Sequence, residues 1–291
     1  MFKILLVNGL ILGGIYGLIA LGYSLIYRAS GLMSFAQGDM ITLGAFMGLF
    51  FFDTLKLPFW LALLLTFAFA FLVGMFLERF VIRLLMNKGV LAIYIVLATI
   101  AVSYIIQNSM QMAFGATTLR FPQVFSKGNW KIFGVNAQAE AWACLFISLG
   151  LMILLHFFMT KTRFGTSMRG AAMDPLAAES CGINTSLSTG ITWGICAAIA
   201  GLAGILIGPM YGVFTVLGAN MGRKGFGGAV VGGYGNMYGA MVGGMLLGLA
   251  ETFVAGYWMG TYKNMVAYLI LIVFLFVKPT GIFNEKAIQD V

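Results

Sequence analysis

The side chains able to do chemistry are few in this sequence and stand far apart. The single histidine, His156, lies in an apolar run with no carboxylate at helical spacing, so it reads as a packed or hydrogen-bonded helix residue rather than a proton relay. Cys144, Cys181 and Cys196 lack metal-ligand spacing and leave an odd number, which argues against a metal centre or a disulfide framework; they read as small apolar fillers. Walker A, HExxH and GxSxG sequences are absent. No enzyme, no metal site and no cofactor bound by this chain is therefore expected. The acids worth weighing for ion coupling are Asp39, Glu78 and Glu251. Asp39 and Glu78 fall near expected helix ends, and Glu251 near Tyr257 and Trp258, a likeness of an interfacial belt, so water or headgroups are expected to reach all three. Uncharged amides are more suggestive: Asn8, Gln107, Asn108 and Gln111 lie inside apolar runs, Gln107 and Gln111 on one helix face with Asn108 beside them. Such groups either bond across helices or line a wet translocation path.

Positioning these groups falls to apolar helices. The 291 residues are 61% hydrophobic and 9% charged, with mean hydropathy +0.98, whereas soluble domains carry about 25% charged residues. A water-soluble core cannot absorb this. The net charge of +8 comes from Lys and Arg in short gaps between apolar runs, where they act as topology signals and contacts to membrane lipids rather than as a nucleic-acid surface. Expected spans are 6–27, 36–52, 58–77, 91–113, 140–160, 187–210, 225–255 and 264–277. The first apolar run continues to Tyr27 without a small-residue cleavage site, so it reads as a span and not a signal peptide. The fold class is all-α: a polytopic helix bundle of about eight apolar segments, one transmembrane domain over 1–291.

The segment 225–255 is too long for one upright span and is broken by Gly227, Gly228, Gly232, Gly233 and Gly235. It predicts a half-helix, a turn near 234–236 and a return helix from about Tyr238, a re-entrant pair with no net crossing. Arg28, Arg79, Arg83, Lys88, Lys161, Arg163, Arg169, Lys278 and Lys286 then share one side; they are nine of 17 basic residues, too even a split to set orientation. Gly13 and Gly17, Gly44 and Gly48, Gly204 and Gly208, and Gly244 and Gly248 are each four apart, a spacing for close helix packing or for stripes along which helices shift during gating, and Gly232 and Gly233 join that set. Two polar excursions interrupt the spans. The gap 114–139 holds Arg120, Pro122, Lys127, Gly128 and Lys131. The loop 161–186 holds Arg163, Gly165 and Arg169, then a short helix with Asp174 as N-cap and Pro175 at its first position, running past Glu179 to Gly182.

Several of these stretches together resemble the branched-chain amino-acid ABC importer permeases, specifically the H-type subunit of the leucine, isoleucine and valine system. The opening NGLILGGIYGLIALGYSLIYRASGLMSFAQGDMITLGAF, the loop RFGTSMRGAAMDPLAAESCGIN, the late KGFGGAVVGGYGNMYGAMVGGMLLGLAET and KPTGIF at 278–283 carry the likeness almost end to end. The departure is SFAQGD at 34–39 where the family reads close to NFAHGE, so Gln37 stands for a histidine and Asp39 for a glutamate.

The resemblance implies a multi-pass protein of the bacterial cytoplasmic membrane, the loop 161–186 cytoplasmic and the N-terminus outside. It implies as partners a paralogous permease subunit, two cytosolic ATPase subunits holding ATP and Mg, and an extracytoplasmic solute-binding protein. Closure of the ATPases would push on the helix around Met173 to Glu179, with Arg163 and Arg169 as anchors, Asp174 and Pro175 as its start, and Gly165 and Gly182 permitting the turns. Asn8, Gln107 and Asn108 are the candidates for the path. Urea or a short amide is the alternative cargo, and a stand-alone small-solute channel the alternative of another class.

Overall fold

The computed structural model describes residues 1–122, 124, 129–132, 135–258, 260–278 and 280–283. Lys127, Gly128 and Lys286, assigned by sequence above, and Pro279 of the KPTGIF stretch lie outside these residues. The elements in order are α1 (Phe2–Ser30), α2 (Ala36–Leu49), α3 (Phe59–Leu77), α4 (Arg83–Asn87), α5 (Ala92–Phe114), β1 (Asn129–Ile132), β2 (Val135–Gln138), α6 (Ala139–Lys161), α7 (Arg163–Met173), α8 (Pro175–Ser180), α9 (Thr185–Tyr211), α10 (Leu217–Gly232), α11 (Met237–Tyr257) and α12 (Lys263–Val277). Among the described residues six helical runs are long and apolar enough to cross a membrane: α1, the joined α3 and α4, α5, α6, α9 and α11. The shorter α12 is also apolar. The chain is an all-α, multi-pass membrane protein, with one small antiparallel hairpin, β1 and β2, in the gap that the sequence marks as a polar excursion.

Helices α1 and α9 form the centre, buried over 72% and 89% of their most apolar stretch, against 22% for the joined α3 and α4. Missing side chains bring backbones together here. A Cβ on Gly13 would lie 2.8 Å from the Met245 carbonyl oxygen, one on Gly244 2.5 Å from the Cα of Gly17, and one on Gly44 2.5 Å from the carbonyl carbon of Gly201. Apolar lipid supplies no hydrophobic drive for helix association, so such close van der Waals packing replaces it. α11 runs antiparallel to α1: Leu5 meets Gly256 at one end, and Gly235 N–H donates to Ser24 Oγ at the other. α2 lies along α9 in the same direction, with Gln37 near Cys196 and Gly48 against Ile205.

One face of the bundle therefore gathers the end of α1, α4, α7, α8 and the start of α9; the opposite face gathers the N-terminus, the hairpin and the ends of α9 and α11. The re-entrant expectation fits: α10 descends to Gly232, Gly233 and Gly235 turn the chain with φ of 114° and 101°, and α11 returns from Met237. Asn236 caps the return, its Oδ1 accepting from Tyr238 N and Gly239 N at 3.0 Å. The free carbonyls at the end of α10 are taken by the KPTGIF segment, whose Ile282 and Phe283 amides donate to Val231 and Gly232. α3 runs on through a π turn at Glu78–Ile82 into α4, beyond the expected end at 77. The reason is local. A five-residue step puts Arg83 beneath Glu78, and the guanidinium bonds that carboxylate at 2.6 to 3.1 Å and also the Ser186 carbonyl.

Candidate functional site

Past the left-handed Gly31 that ends α1, the chain turns back into the bundle and α2 begins within it, with Asp39 in its first turn. Backbone N–H groups at a helix start favour an anion. α5 lies alongside and presents Thr99, Ser103 and Gln107 at four-residue steps. Thr99 Oγ1 accepts from Phe35 N at 3.1 Å, the Ser103 hydroxyl donates to Asp39 Oδ2, and Gln107 Nε2 donates to Asp39 Oδ1 at 2.9 Å. Asp39 is 1% exposed, and no lysine or arginine forms an ion pair with it among the described residues. The expectation that Asp39 lies at an interface within reach of headgroups is thus corrected: at 1% exposure it is recessed beside α5, where Ser103 and Gln107 occupy two of its acceptor sites, and it borders an internal cavity.

Asp39, Ser103 and Gln107 line a half-open cavity of about 600 Å³ between α2, α5, α10 and α12. Arg223 lines it from α10, its Nη2 donating to Asn220 Oδ1 at 2.7 Å and its Nε to the Ala219 carbonyl.

A second polar group lies deeper in the bundle. Lys224 Nζ is 2.5 Å from Glu251 Oε1 and 5.7 Å from the ring centroid of Tyr16, whose hydroxyl donates to Glu251 Oε2 at 2.9 Å. Both charged side chains are nearly sealed, at 8% and 2% exposure. This corrects the superficial position expected for Glu251. It lies six residues before Tyr257, about 9 Å along the axis at 1.5 Å per residue, and α1 and α10 close over it. Glu78 is likewise buried against Arg83. Two further cavities, of about 520 and 360 Å³, meet at Tyr211, Glu251 and Lys263.

The path candidates divide. Gln107 belongs to the Asp39 cluster. Asn8 lines the 520 Å³ cavity on the hairpin side. Asn108 turns outward, its Nδ2 donating to Tyr104 O of its own helix. His156 Nδ1 lies 3.0 Å from Tyr238 Oη, a hydrogen-bonded helix position. Cys144 and Cys196 are buried and free, while Cys181 is exposed. The glycine set sits at helix crossings, Gly248 facing Gly13, Gly48 facing Ile205, and Gly232 facing Gly239.

The loop 161–186 holds two helices where one was expected, because Thr162 caps α7 through Gly165 N. Asp174 Oδ1 accepts from Ala177 N at 3.0 Å and Pro175 occupies the first position of α8. Gly182 makes the turn at φ 80°, whereas Gly165 is helical and serves close approach: a Cβ there would lie 2.6 Å from the Met159 Cα. Met173 and Leu176 are each 78% exposed, Arg163 is exposed, and the buried Arg169 Nε has no hydrogen-bond partner among the described residues. Glu179 bonds the Thr185 hydroxyl, tying α8 to the start of α9.

Sequence reasoning missed Arg223, Lys224 and Ser103. The signals existed: two adjacent cations inside a glycine-rich apolar helix, and a hydroxyl one turn before Gln107.

Comparison with known proteins adds to this geometry. The chain matches the family described as branched-chain amino acid transport system, permease component, over residues 5–275. It is 32% identical to the high-affinity branched-chain amino acid transport system permease protein LivH of Escherichia coli K12, covering 98% of this chain and 96% of that one. Identity is 33% to the corresponding protein BraD of Pseudomonas aeruginosa, over 98% and 97%. It is 25% to the probable permease LivH of Methanocaldococcus jannaschii, over 96% and 92%. Matched over residues 5–275 and 32% and 33% identical to two relatives along nearly the whole of both chains, this chain belongs to the permease-component family of branched-chain amino acid transport systems.

Proposed function

We propose that this chain is the membrane-spanning subunit of a binding-protein-dependent, ATP-driven importer of branched-chain amino acids in the cytoplasmic membrane. It pairs with a related permease, receives cargo from an extracytoplasmic binding protein, and rests on two cytosolic ATPase subunits that hold ATP and Mg. The observation that carries this reading, beside the family, is the pair α7 and α8. These capped helices project from one end of an otherwise apolar bundle and leave Met173 and Leu176 uncovered by the described residues. Exposed apolar side chains ringed by charge suit a protein partner. Arg163 and Arg169 would anchor that partner while α8 transmits its movement.

The experiment is reconstitution with two ATPase subunits, a second permease and a binding protein of the same importer. Leucine uptake that needs ATP is expected, with none in vesicles holding this chain alone. Asp174→Ala and Arg169→Ala should lower solute-stimulated ATP hydrolysis with uptake falling in step. Leucine flux through the chain alone would remove the importer reading in favour of a channel, and uptake of urea in place of leucine would move the cargo.

A further inference from the structure

Two opposite charges line the 600 Å³ cavity, and neither has a counter-charge. Among the described residues Asp39 accepts hydrogen bonds from the neutral side chains of Ser103 and Gln107, two of the about four lone-pair sites of a carboxylate. Arg223 spends two donors on Ala219 and Asn220, while a guanidinium carries five N–H groups. Neither residue forms an ion pair among the described residues. Asp39 is buried, and a buried charge inside a membrane protein is costly unless paired, which makes it a place where something charged arrives; Arg223 is exposed and enters by lining the same space. Between them the wall is apolar: Phe35, Ile100, Phe226 and Leu271 line the same space. An apolar cleft of 300 to about 1,000 Å³ with a few fixed polar groups is the usual form of a small-molecule site.

We infer that this cavity is a transient site for an aliphatic amino acid in its zwitterionic form, the ammonium on Asp39 and the carboxylate on Arg223, with the side chain against Phe226, Ile100 and Leu271. The inference rests on the import reading above and adds to it that the permease itself recognises both charges of its cargo. Asp39 is recessed and held by α5, so it fixes position; Arg223 stands exposed at α10 and meets the carboxylate from the open side. A urea or amide cargo would leave both charges unanswered. A bare cation would use Asp39 alone.

The test uses the complete importer in lipid nanodiscs without the binding protein, and three labelled ligands: leucine, 4-methylpentanoate, which lacks the amine, and 3-methylbutylamine, which lacks the carboxylate. Asp39→Asn should weaken leucine and the amine about tenfold or more and spare the acid, as loss of a buried charge contact does. Arg223→Gln, at an exposed position that puts folding at little risk, should weaken leucine and the acid and spare the amine. Unchanged leucine affinity in both variants, or equal losses for all three ligands in both, overturns the site, as does absence of leucine binding to the unaltered complex. ATP-driven leucine uptake by the unaltered complex with its binding protein is scored in parallel. If uptake is present and the ligand pattern fails, the site alone falls; if uptake is absent, the import reading falls with it.

Discussion

Glu251 and Asp39 are both carboxylates buried in apolar helices, at 2% and 1% exposure, and their surroundings differ in one respect. Glu251 meets a lysine and a tyrosine within its own chain, while Asp39 accepts hydrogen bonds from a serine and a glutamine and pairs with no cation among the described residues. The first pairing ties three elements that must stay together, α1, α10 and α11, on the side where glycines bring backbones into contact. The second lies where α2 and α5 flank an open cavity. Both carboxylates border cavities; Glu251 is already answered by a cation of its own chain, whereas Asp39 has none among the described residues, and that missing neutralisation leaves it to a visitor. That contrast predicts opposite results when each charge is removed.

The largest effect should come from Lys224→Met. It leaves Glu251 buried without its cation, and breaking one half of a buried pair costs about 3 to 5 kcal/mol. The measurement is the unfolding midpoint in a denaturing detergent titration. Lys224→Met with Glu251→Gln should recover most of the loss, because the uncompensated charge goes too. A single variant as stable as the unaltered chain would mean that Lys224 reaches water, and the contrast with Asp39 would collapse.

Much of this fold was legible in the sequence because apolar length and glycine breaks are local properties. The turn at Gly233 to Asn236 needed only two left-handed positions and a capping amide, and the N-cap at Asp174 followed from its Pro175 neighbour. The cavity was not legible, since it joins α2, α5, α10 and α12, and Asp39 stands 64 residues from Ser103. Glu251 was misplaced for the same reason. Distance along the helix from Tyr257 suggests an interface, but the groups that cover it, Tyr16 and Lys224, come from elsewhere in the chain. The hairpin at 129–138 carried no pattern strong enough to separate it from a loop.

A smaller effect is expected at the glycine contacts between helix backbones. Gly44→Ala places a methyl against the Gly201 backbone, with no flexible side chain to move aside, so a cost of about 1 to 3 kcal/mol is expected. Gly150→Ala in α6 is the control: nothing lies within 4 Å of that Cβ, and stability should change by less than about 1 kcal/mol. The same detergent titration reads both. Equal responses would show that the bundle's centre is as yielding as its surface.

The smallest effect on stability should be Asp39→Asn. The side chain keeps its shape, its amide oxygen can still accept from Gln107, and the Ser103 hydroxyl can turn to accept from the new amide, so no polar group need be stranded. Removing an unpaired charge from an apolar setting also relieves a desolvation cost. The two terms together predict an unfolding midpoint within about 1 kcal/mol of the unaltered chain, or above it. Were Asp39 there to fasten α2 to α5, the variant would instead fall toward the Lys224→Met value, because a charge-assisted bond is roughly twice as strong as a neutral one. A chain that folds as well without this carboxylate has kept it for something other than folding.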